Sequence, residues 1–229
     1  MIFQDPSSSL NPVHTIGRQL VESLSIHRGM DKQTALAEAV RLLDTVGIPE
    51  AKRRLTEYPH QLSGGMNQRA MIAIALACRP KLLIADEPST ALDVTIQAQI
   101  LELLSELQKE FGMSMILITH DLGVVAEMAH DVSVMYMGRV VEEATVSDLF
   151  HRPTHPYTVG LLNSLPRVDQ EVKLEPIEGS VPSPFDLPPG CAFEPRCPSA
   201  IDQCRASIPS LDQTHAGQFA ACFCPQSAP

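Results

Sequence analysis

The 229-residue sequence has few aromatic residues, little positive charge and no long apolar run. Tryptophan is absent, aromatic residues make up 4% of the chain, and the net charge at pH 7 is -10. Because nucleic-acid-binding surfaces combine basic clusters with aromatic platforms, we expect no nucleic-acid partner. The longest apolar run, Ala70 to Cys78, is too short to cross a bilayer, and no signal peptide opens the chain. These absences predict a soluble, cytoplasmic protein.

Cysteine and proline are unevenly distributed along the chain. Five of the six cysteines lie at or after Cys191, and 11 of the 19 prolines lie at or after Pro166. A chain of this length can bury one core with an appendage. We therefore predict a regular α/β domain over residues 1–160 and a loop-rich, Cys- and Pro-rich module over residues 161–229. The remaining cysteine, Cys78, follows an apolar run and is interpreted as a small core residue.

Two segments near the start of the chain have helical spacing of their apolar residues, Thr15–Ile26 and Lys32–Val46. The apolar positions are Ile16, Leu20 and Leu24 in the first segment and Leu36, Val40, Leu43 and Val46 in the second. We expect both helices to belong to a small helical subdomain at about residues 12–78.

Two buried strands that each end in polar residues are predicted in the middle of the chain. Leu82–Ala85 runs into the adjacent carboxylates Asp86 and Glu87, and Met113–Ile118 runs into Thr119 and His120. A helix follows each strand and a third strand is predicted at Val132–Tyr136, which indicates a parallel sheet. Since ligands bind at the carboxyl ends of parallel strands, these polar side chains can converge on one site.

A glycine pair precedes an apolar helix at Ser63-Gly64-Gly65. Ser63 is a good N-cap, and the glycines let a ligand approach the backbone closely. The free N–H groups and the positive dipole end of the helix suit a phosphate. A glycine pair before a helix is usually only a turn, so the motif by itself indicates little.

Taken together, these motifs resemble those of ATP-binding-cassette (ABC) ATPases, in the same order and spacing. The matching elements are the Q-loop Gln4, the signature Leu62 to Met66, the Walker B strand Leu82 to Glu87, the D-loop Ala91 to Asp93 and the switch residue His120. The segments 3–12, 63–66 and 155–162 and the Cys-rich module narrow the resemblance to ATP-binding subunits of oligopeptide/dipeptide importers. The resemblance implies a parallel-sheet P-loop NTPase core of class α/β.

The phosphate-binding Walker A loop of that family has no counterpart here, because the sequence contains no Gly-Lys dipeptide. Met1 resembles a methionine within the family's Q-loop strand, and Met1 to Phe3 is predicted to be the end of a strand. The resemblance thus implies a core that is incomplete at its N-terminus. We expect the chain's own nucleotide site to be nearly inactive when the chain is alone.

The resemblance also implies cofactors and residue roles. ATP and Mg²⁺ would bind with Asp86 in the Mg²⁺ shell and Gln4 sensing Mg²⁺ or water, Glu87 would be the general base, and His120 would contact the γ-phosphate. The residues Ser63, Gly64, Gly65 and Met66 would close on a partner's nucleotide, and Asp93 would bridge the two subunits.

The partners implied are a second ABC ATPase subunit, two membrane permease subunits that residues 1–60 would contact, and indirectly an extracytoplasmic solute-binding protein. The implied location is peripheral, at the cytoplasmic face of the plasma (inner) membrane. The implied cargo is di- or oligopeptides or a related small solute such as nickel.

Four clustered cysteines suggest a metal in the C-terminal module. Cys191, Cys197, Cys204 and Cys222 lie in a Pro-rich background, and in a reduced cytoplasm clustered thiols favour metal over disulfides. The resembling subunits imply a 4Fe–4S cluster, which four thiolates suit. Zinc and unligated thiols stay open as alternatives, and Cys224 is treated as a bystander.

Two rival functions stay open. The chain could be a catalytically silent interaction protein that supplies only a signature half-site to an intact partner. A soluble cassette protein of DNA repair or translation is disfavoured by the importer-type C-terminal module. An in-frame Gly-rich loop ending in Gly-Lys-Ser/Thr, encoded upstream of Met1, would favour the ATPase over the half-site.

Overall fold

The computed structural model describes residues 1–90, 92–165 and 176–226. They pack into two compact units, unit 1 (Met1–His120) and unit 2 (Asp121–Pro229). The predicted boundary near residue 160 separates a regular domain from a Cys-rich module. This division differs from that between the two units, and it stays a prediction. No helix in the described ranges is long and apolar enough to cross a membrane.

Unit 1 consists of helices followed by a small sheet. The elements before the sheet are α1 Pro6–Ser9, α2 Ile16–Arg28, α3 Lys32–Thr45, α4 Ala51–Arg54, a 3₁₀ turn Pro59–Gln61 and α5 Gly64–Leu76. The sheet region comprises β1 Leu82–Asp86, α6 Val94–Phe111 and β2 Ser114–Ile118. The two helices predicted near the N-terminus are confirmed as α2 and α3. They begin where Thr15 and Asp31 accept hydrogen bonds from backbone N–H groups of the first turn.

The buried face of α2 agrees with the sequence pattern, and that of α3 agrees in part, since Leu43 and Val46 are buried as expected. Ile16, Leu20 and Leu24 are fully buried, but Leu36 is 48% exposed. The alanines Ala35 and Ala39 are buried in its place. Small residues on α3 allow it to approach α2 closely, so Ala35 and Ala39 join Leu42 and Leu43 on the core face and Leu36 lies outside it. Cys78 is also exposed, because α5 ends at Leu76 and the chain turns at Arg79 with a φ of 48°.

The expected parallel sheet is present around β1. It pairs with β2 in parallel from Leu82↔Ser114 to Asp86↔Ile118. On its other side Ile2 forms a parallel bridge with Ala85: the Ile2 N–H donates to Ile84 O (2.8 Å) and the Asp86 N–H donates to Ile2 O (3.0 Å). The strand that ends in Asp86 is therefore flanked on both sides, and the residue after Phe3 lies near its carboxyl end.

Unit 2 is built around a four-stranded antiparallel sheet in the order β3-β4-β6-β5. Its elements are α7 Leu122–Met128, β3 Asp131–Tyr136, β4 Arg139–Thr145, α8 Val146–His151, α9 Pro156–Asn163, a 3₁₀ turn Glu194–Arg196, α10 Asp202–Ala206, β5 Asp212–His215 and β6 Gln218–Ala220.

The prediction that the third strand continues the parallel sheet is wrong for the described pairings. β3 pairs with β4 in an antiparallel hairpin across Met137 and Gly138. Both turn residues have positive φ, 48° and 74°, and such two-residue turns match the right-handed twist of hairpin strands. A methionine is an unusual residue at the first position, so the Met-Gly pair is a weak hairpin signal.

A buried carboxylate ties the sheet of unit 2 to the turn before α9. Glu142 on β4 is fully buried. Its carboxylate accepts hydrogen bonds from the Thr154 N–H (2.7 Å) and hydroxyl (2.9 Å), the His155 N–H (2.9 Å) and Gln218 Nε2 (3.1 Å). The buried His155 ring caps α9, with Nδ1 accepting from the Tyr157 N–H (3.0 Å). Four donors thus satisfy a charge that burial would otherwise disfavour.

Candidate functional site

The carboxylate of Glu87 is held by three side chains at the end of β1. Gln4 Nε2 donates to Oε2 at 2.7 Å, and Thr90 Oγ1 donates to the same oxygen at 2.8 Å. His120 Nδ1 lies 3.0 Å from Oε1. The expected convergence of Glu87 with His120 is confirmed, and Gln4 joins them because Ile2 pairs beside β1.

The backbone at Glu87 turns sharply out of the sheet. The residue has a φ of 43°, in the left-handed region that non-glycine residues seldom occupy. Its N–H still donates to Ile118 O at 2.9 Å, and its carbonyl accepts from the Thr90 N–H at 3.1 Å. These bonds hold Glu87 beside the end of β2, from which His120 follows.

The surroundings of Glu87 favour its ionised form. The hydrogen bond from His120, and then the one from Thr90, hold the pKa of Glu87 below its ordinary value of 4.5. An ionised carboxylate only accepts hydrogen bonds, so Nδ1 of His120 carries a proton in this contact. If the ring is neutral, its other nitrogen, Nε2, carries no proton and can accept a hydrogen bond.

Three donors do not exhaust the carboxylate of Glu87. Two ionised oxygens offer about four acceptor positions, and side chains of the described residues fill three of them, which leaves one for a further donor such as a water molecule. Gln4 points its NH₂ group at Glu87, and its amide oxygen is therefore directed elsewhere. The group offers a carboxylate base and an amide oxygen within one small region.

The other predicted site residues lie at element boundaries. Asp86 is the last residue of β1. The predicted N-cap Ser63 is confirmed, since its hydroxyl accepts from the Met66 N–H at the start of α5 (3.3 Å). Asp93 caps α6 by accepting from the Ile96 N–H at 3.0 Å. These positions are those expected from the sequence, and the ligand-binding roles of the residues stay predictions.

The signature glycines lie against the start of α6. A Cβ added to Gly64 would lie 3.8 Å from Leu92 Cδ2, an ordinary contact, whereas one added to Gly65 would lie 3.0 Å from Ile96 Cγ2. The close packing at Gly65 explains why a residue without a side chain stands there. Gly64 is exposed and has room for a small side chain.

Two residues of the site were not predicted from the sequence. Thr90 binds Glu87, and its position three residues later in the turn after Pro88 could have indicated this contact. Gln68 is buried in α5 and its Nε2 donates to Pro88 O at 2.6 Å. Gln68 stands between Asn67 and Arg69, and nothing in this polar run distinguishes the buried residue from its neighbours.

The cysteines of unit 2 share one small cavity. Cys191, Cys197, Cys204, Cys222 and Cys224 all line it, and its volume of about 10 Å³ matches one water molecule. Burial raises the pKa of the Cys191 and Cys197 thiols and that of Cys222 to about 11. In the described parts of the chain no three His, Cys, Asp or Glu side chains are grouped so that they could hold a metal ion. The donors suit a cluster chemically, but the cavity as it stands does not fit one.

Comparison with solved structures defines the class of protein. The chain is similar to cbiO1 from Clostridium perfringens, part of the ABC transporter complex cbiONQ, with 30% identity and a TM-score of 0.57 over 66% of this chain and 58% of that one. It is also similar to the ATP-binding cassette MJ0796 in a dimeric post-hydrolysis state bound to ADP and Pi, with 31% identity and a TM-score of 0.55 over 63% and 62%. The fold is that of an ABC ATPase cassette.

Sequence comparison defines the family. The ABC transporter family model matches residues 1–90, and the model of the oligopeptide/dipeptide transporter C-terminal region matches residues 141–204. The oligopeptide transport ATP-binding protein AppD of Bacillus subtilis is 60% identical over 97% of this chain and 68% of its own length. The dipeptide transport ATP-binding protein DppD of Escherichia coli K12 is 55% identical over 98% and 69%. The chain belongs to the family of ATP-binding subunits of oligopeptide and dipeptide ABC transporters, and it spans about two thirds of these relatives' length.

Proposed function

We propose that this chain energises the uptake of di- or oligopeptides by hydrolysing ATP at a site that includes Glu87. The observation that carries the proposal is the set of three contacts that Gln4, Thr90 and His120 make with the Glu87 carboxylate. Relatives named for oligopeptide and dipeptide transport support the cargo. A related small solute such as nickel is the alternative cargo.

In this proposal Glu87 accepts a proton from the attacking water through its remaining acceptor position. Asp86 and the amide oxygen of Gln4 would hold Mg²⁺, since hard cations prefer oxygen ligands. Bound Mg²⁺ neutralises charge on the phosphates. His120 would turn toward the γ-phosphate, which would weaken its hydrogen bond to Glu87. The pKa of Glu87 would then rise, and the carboxylate would become a stronger base.

The proposed partners follow from the family. A second ABC ATPase subunit would bind head to tail, so that Ser63, Gly64, Gly65 and Met66 close on its nucleotide and Asp93 bridges the subunits. Two membrane permease subunits, contacted by residues 1–60, would hold the pair at the cytoplasmic face of the plasma (inner) membrane. A solute-binding protein would deliver peptide from the outer side.

A half-site role is the second candidate, and the exposed signature turn favours it. The two roles differ in which residues of this chain matter for ATP turnover by the assembled transporter. Glu87→Gln lowers turnover only if this chain hydrolyses ATP. A signature substitution lowers it in both cases.

Gly64→Asp is the suitable signature substitution. Gly64 has room for a side chain, and an acidic residue in the first turn stabilises a helix, so folding is preserved. The new charge would repel a partner's phosphate. Gly64→Ala is the matched control. We expect both Glu87→Gln and Gly64→Asp to abolish ATP-driven peptide uptake in proteoliposomes; loss with Gly64→Asp alone would establish the half-site role.

A 4Fe–4S cluster on Cys191, Cys197, Cys204 and Cys222 stays a prediction of the family resemblance. Support is limited to the shared cavity of the five thiols. A cluster would require these thiols to be deprotonated and the cavity to widen. Anaerobically purified protein with neither iron nor visible absorbance would rule it out, and stoichiometric zinc in its place would favour a zinc site.

A further inference from the structure

Gln68 joins the signature helix to the segment that carries Glu87. It is only 1% exposed, and the residues that follow it, Ala70 to Ala73, form the apolar core face of α5. Its Nε2 donates to the carbonyl of Pro88, 20 residues away in sequence, at 2.6 Å. Pro88 directly follows Glu87 and has no N–H of its own, so its carbonyl is the one backbone group of this residue that can form a conventional hydrogen bond.

The signature turn and Gln68 contact the same stretch of chain. Gly65 and Gln68 are three residues apart in α5 and therefore lie on one face. At one end of this face Gly65 packs closely against Ile96 in the first turn of α6. At the other end Gln68 binds Pro88. Pro88 and Ile96 thus both contact α5, the first through a hydrogen bond and the second through close packing.

We infer that Gln68 is a positioning residue that couples the signature turn to the carboxylate of Glu87. A ligand that shifts the start of α5 shifts Gln68, and through Pro88 it shifts the backbone of Glu87. In a pair of subunits, nucleotide binding at one site would then change the position of Glu87 at the other site through the hydrogen bond between Gln68 and Pro88. The inference rests on the proposed function, because it concerns the rate of ATP hydrolysis at Glu87.

The test compares Gln68 with its neighbour on the same helix. Gln68→Leu and Gln68→Met both remove the donor and keep the side-chain volume, and the flexible methionine guards against a packing failure of leucine. Asn67→Leu is the matched control: Asn67 Nδ2 also donates to a carbonyl, but to that of Pro59 at 3.0 Å. The assembled transporter is assayed for the kcat and KM of ATP hydrolysis, for cooperativity in ATP and for thermal stability.

We expect the Gln68 variants to lose about 10- to 100-fold in kcat, the loss typical of a misplaced catalytic group, with KM nearly unchanged and cooperativity reduced. Asn67→Leu should lose similar stability and keep its kcat. Gln68 variants with the kcat and cooperativity of Asn67→Leu would overturn the inference while the wild type stays active. A wild-type transporter without ATP turnover would instead overturn the proposed function, and this inference with it.

Discussion

His120 Nδ1 lies 3.0 Å from Glu87 Oε1, although 33 residues separate the two in sequence. Parallel pairing of β1 with β2 produces this contact, because the two residues follow the carboxyl ends of neighbouring strands. The Glu87 N–H also donates to Ile118 O, two residues before His120. The sheet thereby brings a carboxylate and an imidazole together at a strand edge where α/β proteins bind ligands.

Replacing His120 should change the pH dependence of ATP turnover. The hydrogen bond from His120 is the largest influence that lowers the pKa of Glu87. In His120→Ala this pKa rises toward 4.5, so Glu87 is protonated at a higher pH as the solution is acidified. We expect the acid limb of the kcat/KM profile to move to higher pH, along with a loss of turnover. His130→Ala, which removes an exposed histidine, should leave the profile in place.

Thr90 should orient Glu87 through its hydroxyl. Thr90→Val keeps the side-chain shape and removes the donor to Glu87 Oε2. We expect turnover to fall by about ten-fold, since hydrogen bonds to charged groups are among the stronger ones. Thr90→Ser retains the hydroxyl and should keep most of the activity. Equal rates for the valine and serine variants would show that the hydroxyl has no such role.

The helical and strand patterns of unit 1 allowed much of its fold to be predicted. The N-cap at Ser63, the helix beginning near Thr15 and the strand before Asp86 were all predicted from local sequence. The exposure of Leu36 on α3 was not, because Ala35 and Ala39 are buried through close helix packing that no local pattern reveals. Thr90 and Gln68 were missed for a similar reason: their partners are defined only once the chain turns at Glu87 with a positive φ.

Unit 2 was harder to predict from its sequence. The Met137–Gly138 hairpin contradicted the expected parallel strand. The buried role of Glu142 could not be predicted either, because its four donors come from two distant segments, Thr154-His155 and Gln218. A glutamate in an otherwise ordinary strand carries no sign of such a network. Contacts between distant segments decide both features.

Protonation of His155 should destabilise unit 2. Burial lowers the pKa of His155 from 6.5 to about 4. Between these values the unfolded chain binds more protons than the folded chain, so stability falls as the pH drops from 6.5 toward 4, by up to about 3 kcal/mol. Thermal melting from pH 7.5 downward should show this loss, and His155→Gln should reduce it. His151→Gln, at an exposed position, should leave the loss unchanged.

The buried Glu142 should be indispensable to the packing of unit 2. In Glu142→Gln the amide keeps its oxygen at Oε1, which accepts from Thr154 and Gln218, and places its NH₂ group at Oε2, where it faces the His155 N–H. We expect the free energy of unfolding to fall by about 3 kcal/mol, because a buried donor loses its acceptor and the remaining bonds lose the charge of the carboxylate. Glu143→Gln changes the next residue, whose carboxylate accepts an exposed hydrogen bond from Ser133, and should cost little. Equal denaturant midpoints for the two variants would contradict this account.

ATP turnover by the assembled transporter with Glu87→Gln tests the central claim most directly. The amide cannot accept the proton of the attacking water, so turnover should fall by about 10²- to 10⁴-fold while ATP binding persists. Glu102→Gln makes the same change at an exposed position of α6 and should behave as wild type. A Glu87→Gln transporter that hydrolyses ATP at the wild-type rate would show that Glu87 is not the base.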